Sequence, residues 1–250
     1  MTPGLHVRQL HKRYGDFAAL TDVSFTVREG EVLGLIGPNG AGKTTLFECI
    51  AGVLPADSGT VMVKGQQVPG TDRGSHLFFM PDGIAPWAAQ TVAWALDFTL
   101  GFFGGDSARL PGVIERLQIE PLMRRSVGTL SKGERKRVLL AIAMLTPQPL
   151  MMADEPFDGL DLRQSREVGA ALREHAAAGR TVFLSIHQIA DAARVCDRFV
   201  LLSAGHVCGE GTLDELTALA RARRAEAEPD DPRRRRASPD GLEEVVLALT

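Results

Sequence analysis

Gly37-Pro38-Asn39-Gly40-Ala41-Gly42-Lys43-Thr44-Thr45 is the stretch whose reading decides how this chain folds. The apolar run Val32-Leu33-Gly34-Leu35-Ile36 leads into it, and Leu46-Phe47-Glu48-Cys49-Ile50, with helical spacing, leads out. Strand, glycine loop and helix in that order are the setting of a phosphate-binding loop. Bare glycine backbone lets successive N–H groups close on an anion that side chains would hold off. The positive end of the helix starting near Lys43 points at the same anion. In this reading Lys43 reaches the β- and γ-phosphates and the Thr44 hydroxyl sits on Mg2+. A glycine-rich turn without a ligand is the plain alternative. It does not account for the complete Gly-x-x-x-x-Gly-Lys-Thr pattern.

The rest of the chain has to supply a body for that loop. With 250 residues, 44% of them hydrophobic and 24% charged, one large α/β domain or two small ones can bury a core. A net charge of −3 gives no global reason to expect nucleic acid. Cys49, Cys196 and Cys208 are far apart with no metal-ligand spacing, and fit a reducing cytosol as small buried hydrophobes. Met1 to Arg13 lacks the apolar core of a signal peptide. Ile84 to Gly105 is apolar with Asp97 its one charge. Pro86, Gln90 and its glycine-rich end argue against a membrane-spanning helix. A surface or core segment is expected there, or an apolar docking face for a partner.

Outward from the loop, Leu5–Leu10 and Val23–Val27 alternate as half-buried strands, and Thr60–Val63 and Leu77–Met80 are further strands. Residues 91–145 turn helical. Val113, Leu117 and Leu122 predict one helix, and Ser131–Leu145 a second. Leu150–Ala153 and Thr181–Ile186 are buried strands around an amphipathic helix, Arg163–Ala178, that ends at Gly179. Phe199–Leu202 and His206–Cys208 form a hairpin, and Leu213–Ala220 a short helix. The domain is expected over 1–220, with a helical part at about 84–145. Residues 221–240, including Arg233–Arg236, read as a solvated, disordered linker. Residues 241–250 regain apolar spacing at Leu242, Val245, Val246 and Leu249, and are expected to dock back as a helix.

Hydrolysis needs more than a phosphate loop. The strand Leu150–Ala153 delivers Asp154 to its end, where it can hold the water shell of Mg2+, and Glu155 follows, placed to polarise a water. Leu130-Ser131-Lys132-Gly133-Glu134 supplies a serine-capped helix start with a bare glycine, an anion site.

In these motifs and their order the chain resembles the nucleotide-binding subunit of an ATP-binding cassette (ABC) transporter, from about Leu5 to Leu219. Gly37–Thr45 matches the family's Walker A motif, Leu150–Glu155 its Walker B, and Leu130–Glu134 its Leu-Ser-Gly-Gly-Gln signature. The resemblance implies a P-loop NTPase of ABC type: a RecA-like mixed sheet core, an antiparallel β subdomain and a helical signature subdomain. It implies ATP and Mg2+ as cofactors, with Gly37, Pro38, Asn39, Gly40, Ala41, Gly42, Lys43, Thr44, Thr45, Ser131 and Gly133 on ATP. Tyr14 falls where the family stacks a ring on adenine, His187 where it has its switch histidine, and Asp161 in its D-loop. Glu155 and His187 are the implied catalytic pair; Thr44, Asp82 and Asp154 the implied metal ligands.

Three departures stand out. Asp82 occupies the place of the family's usual Gln, Lys132 that of the first signature glycine, and Glu134 that of the signature Gln. Ser131-Lys132-Gly133 and the ending Gly241–Leu247 resemble the ABC-2 exporter type. The implied partners are a second cassette, identical or a paralogue, and an integral membrane permease; nucleic acid is not expected. The implied location is cytoplasmic, peripheral on the inner face of the cell membrane. A soluble ABC ATPase of repair or translation, and a regulatory subunit that binds ATP without turnover, are the other readings.

Overall fold

The computed structural model describes residues 3–227 and 242–250. In chain order the elements are β1 (Pro3–Tyr14), β2 (Phe17–Arg28), β3 (Val32–Ile36), α1 (Lys43–Ala51), β4 (Ser58–Val63) and β5 (Gln66–Gln67). Then come β6 (Leu77–Met80), α2 (Val92–Phe103), α3 (Leu110–Arg116), α4 (Lys132–Leu145), β7 (Leu150–Asp154) and α5 (Leu162–Ala177). The chain continues with β8 (Thr181–Ser185), α6 (Ile189–Val195), β9 (Arg198–Ser203), β10 (His206–Gly211), α7 (Leu213–Ala227) and α8 (Leu242–Leu249).

Two sheets result. The four-stranded sheet, ordered β2-β1-β4-β5, is antiparallel throughout. The six-stranded sheet, ordered β10-β9-β3-β8-β7-β6, is parallel except for the β9–β10 hairpin. The period of the sequence explains which strand goes where. Every residue of β3, β7 and β8 is buried, as strands covered on both faces require. Near its end β2 alternates buried and less buried residues, as a strand with one wet face must.

One core lies between the two sheets around α1. Phe183 of β8 meets Phe47 of α1 at 4.7 Å and Phe25 of β2 at 5.3 Å between ring centroids, joining both sheets through aromatic contact. The second core covers the opposite face of the central sheet and unites α2, α4, α5 and α8 through residues such as Leu96, Leu140, Leu172 and Val245. In the sheet order β3, β8 and β7 are neighbours and parallel. The segments leaving their C-terminal ends, where α/β sheets place ligands, therefore converge. Those segments carry Gly37–Thr45, His187 and Glu155.

The helix expected over Val113–Leu122 is broken. Gln118 takes φ 51, so α3 ends at Arg116 with Leu117 as its cap, and Leu122 lies in a separate 3-10 turn, Glu120–Leu122, with Pro121 inside it. The helix expected to stop at Ala220 runs on through Ala227, into the charged stretch. The remainder of the expected linker, with Arg233–Arg236, lies outside the described residues. In α8, Leu242, Val245, Val246 and Leu249 are buried, and the helix packs on α7 and α6.

Candidate active site

Gly42 caps α1 in the left-handed region, φ 101, without any side-chain hydrogen bond, and the first turn holds no acid. The donors at this helix start are thus left to a ligand. The glycines serve two purposes. A Cβ on Gly42 would stand 2.8 Å from the Ala19 carbonyl oxygen of β2, and one on Gly37 would collide with the Leu202 carbonyl of β9. Those two let the loop nest against strands. Gly40, φ 81, faces open space and is exposed with Pro38 and Asn39, while Ala41 is buried. Lys43 is buried, and its Nζ donates to the carbonyls of Gly37 (2.7 Å) and Pro38 (3.3 Å). Burial lowers its pKa, against the opposing pull of Glu155 and Asp154.

From the other side comes β7. Thr44 Oγ1 donates to Asp154 Oδ2 at 3.0 Å. Ser185, at the end of β8, donates its hydroxyl to the other Asp154 oxygen and accepts the Glu155 N–H at 2.9 Å. Glu155 itself sits at φ 48, a left-handed conformation that costs a non-glycine residue on the order of 1–3 kcal/mol and is found where surroundings over-determine it. Thr44 is exposed and Thr45 half-buried beside it. A threonine hydroxyl bonded to a carboxylate is a hard-oxygen pair, and it fits Mg2+.

Asp82 is not joined to that pair directly. Its carboxylate binds Lys136 Nζ at 2.7 Å, and Lys136, buried on α4, also donates to the Asp154 carbonyl at 3.0 Å. Partial burial pushes the Asp82 carboxyl up, but the Lys136 hydrogen bond and charge outweigh it, and its pKa is lowered. Oxygens of Asp82, Glu155 and Asp158 lie within 4.8 Å of one another, and Lys132 pairs with Asp158. Glu155, Asp158, Ser185 and His187 line one cavity of about 100 Å³, which places His187, just past the end of β8, on the same space as Glu155.

The signature residues form a closed unit of their own. Ser131 caps α4: its hydroxyl accepts from Glu134 N at 3.3 Å, and the Glu134 carboxylate in turn accepts from Ser131 N at 2.8 Å. Arg125 holds the same Glu134 at 2.7 Å. A Cβ on Gly133 would meet the Gly159 carbonyl oxygen at 2.5 Å, so this glycine keeps α4 against the loop that follows Glu155. Among the described residues neither Ser131 nor Gly133 hydrogen-bonds the 37–45 loop. Asp161 caps α5, accepting from Gln164 N at 2.8 Å. Tyr14, 48% exposed at the tip of the β1–β2 hairpin, has the Lys12 ammonium 5.7 Å from its ring centre.

Ser185 and Lys136 escaped the sequence reading as site residues; Lys132 was read only as a departure within the signature, and Asp158 only as part of the D-loop. Ser185 left a trace, a lone polar residue in the apolar run Thr181–Ile186. The lysines left one too: they are four apart on α4, hence on one face.

An uncapped glycine cradle, and a strand-borne carboxylate bonded to the cradle's own threonine, define a P-loop nucleoside triphosphatase. A family profile described as ABC transporter matches residues 20–158, more than half of the chain, and the chain belongs to that family. It is an ABC transporter ATP-binding subunit, an ATPase. Nod factor export ATP-binding protein I of Ralstonia nicotianae is 34% identical over 224 residues, 86% of this chain and 69% of that protein. The probable multidrug ABC transporter ATP-binding protein YbhF of Escherichia coli is 31% identical over 92% of this chain, which spans 41% of that longer protein. A solved ATP-binding subunit of an ABC transporter superposes with a TM-score of 0.82, 30% identity and 98% coverage of both chains. A cassette solved in its ADP conformation superposes at 0.75 with 25% identity, covering 86% of this chain and 93% of that one.

Proposed function

We propose that the chain pairs head to tail with a second cassette around ATP and, by hydrolysing it, drives a separate membrane permease, with export as the direction. The observation that carries this is the bond from Thr44 to Asp154, which ties the phosphate cradle to the strand end bearing Glu155. In the proposed assignment the loop 37–45 binds the triphosphate, Lys43 spans its β- and γ-phosphates, and Tyr14 stacks on adenine with the ring face opposite Lys12. Glu155 takes the proton of a water whose oxygen attacks the γ-phosphorus as the bond to ADP breaks. His187 holds the γ-phosphate across the cavity. Mg2+, held by Thr44 and Asp154 with Asp82 nearby, would neutralise charge on the phosphate oxygens. Ser131 and Gly133 serve the ATP of the second cassette, and Asp161 orders the start of α5 at that contact. After accepting from Glu134, the Ser131 hydroxyl still has its own proton to donate.

The permease reading draws on the segment after β6. Trp94, Phe98 and Phe102 follow one another at i, i+4 spacing on α2, all exposed, with stacked rings 5.0 and 5.7 Å apart. Phe98 and Phe102, with Trp87, Phe78 and Ile142, line an apolar cavity of about 340 Å³, to which Met80 and Ile84, on either side of Asp82 in the sequence, also contribute. A permease helix with an apolar face fits such a cleft. No described helix is long and apolar enough to cross a membrane. Export as the direction is supported by the Nod factor export relative, and transport in general by the probable multidrug one.

The test is Glu155→Gln in the full chain. ATP should still bind and draw two chains together in sedimentation, while turnover falls by about 10²-fold or more, as on loss of a catalytic base. Near-normal turnover would remove Glu155 from its role, and absence of ATP-dependent pairing would sink the two-cassette reading.

A further inference from the structure

Three carboxylates, Asp82, Glu155 and Asp158, share a space 4.8 Å across. Such a group repels itself and repels a triphosphate. Two ammonium groups face it, both from α4. Lys132 pairs with Asp158, and Lys136 with Asp82 at 2.7 Å. Among the described residues Glu155 is the member of the three without an ion pair. The formal charges of these five groups therefore sum to one negative charge, on Glu155; Lys43 and Asp154, close by, are of opposite sign and cancel.

We infer that Lys132 and Lys136, one helical turn apart, are positioning residues that neutralise the carboxylates on either side of Glu155. One basic carboxylate is then left toward the γ-phosphate. Lys136 is the anchored half: it is buried and also holds the Asp154 carbonyl. Lys132 is the accessible half. Its side chain is 49% exposed, and a Cβ on Gly159 would touch its Cγ at 2.9 Å, so its stem lies along the loop that carries Asp158. The residue that departs from the usual signature glycine thus acts within its own chain, on a neighbour of its own catalytic carboxylate. The inference rests on the reading of Glu155 as the carboxylate facing the γ-phosphate.

Binding of a non-hydrolysable ATP analogue and of ADP, each with Mg2+, tests it by calorimetry on the full chain. Only the former has a γ-phosphate. Lys132→Met frees Asp158 and should weaken the ATP analogue about tenfold, with ADP changed by no more than about twofold, a size usual for contacting charges. Asp158→Asn alone should tighten the analogue relative to ADP. Lys132→Met with Asp158→Asn should return the analogue to within about twofold of the unaltered chain, the margin for independent sites. Lys132→Arg should behave as the unaltered chain does. Parallel loss of both nucleotides in Lys132→Met, or a double variant as weak as Lys132→Met, would overturn the inference; the second result would place Lys132 on a phosphate instead. Failure of the underlying reading looks different, because the unaltered chain would then bind the analogue no better than ADP and Glu155→Gln would keep its turnover.

Discussion

α1 and α4 both begin at a motif that reads as an anion site, yet their first turns are built in opposite ways. At α1 the cap is a left-handed glycine, nothing bonds the first-turn donors from a side chain, and Lys43 fills the loop. At α4 a serine and a glutamate close a complete capping box, braced by Arg125. The first helix start keeps its backbone N–H groups for a ligand. The second has committed one of them and offers a serine proton and a bare glycine. A helix start that must wrap a triphosphate stays open, whereas one that only touches it from a neighbouring molecule can first be made rigid.

The contrast can be broken most easily at Lys43. Lys43→Ala should weaken ATP by about 10²-fold or more, the worth of two charge-assisted hydrogen bonds, as read by titration calorimetry; unchanged affinity would undo the assignment of the loop. Gly42→Ala forces a Cβ into a left-handed residue and against the Ala19 carbonyl. It should cost about 1–2 kcal/mol, which in a chain of this size lowers Tm by roughly 2–4 °C per kcal/mol. No change in Tm would mean that the loop relaxes freely. Ser131→Ala should cost about 1 kcal/mol in denaturant unfolding and Ser131→Gly only a few tenths, since glycine is a tolerable cap. Both should lose ATP-dependent pairing. If the glycine variant pairs normally, the hydroxyl is a cap and nothing more. Arg125→Ala removes a brace whose side chain is 42% exposed, and should cost at most about 1 kcal/mol; a larger loss would show the box depending on it.

The same contrast shows what could be read from residues alone. Gly37–Thr45, the strand into Asp154 and the cap Ser131 are local patterns, and each is where it was expected. What joins them is not local. Lys12 with Asp57, Lys132 with Asp158 and Lys136 with Asp82 link distant segments, so no window of sequence holds both partners. Gln118 adopts a left-handed turn that its type does not announce, and the helix expected through Leu122 broke there. The i, i+4 spacing of Trp94, Phe98 and Phe102 on α2 went unread; Ile84–Gly105 was expected as a surface or core segment or a docking face, and its apolar composition does not say which of its rings stay in solvent.

The ammonium of Lys43 lies among the carbonyls of Gly37 and Pro38, inside the loop itself. It acts as an internal spacer that keeps the cradle from collapsing. The conformational entropy of shaping the loop is consequently spent when the chain folds, not when ATP docks. Association should then be governed by diffusion and charge, with little sensitivity to solvent viscosity beyond the encounter itself.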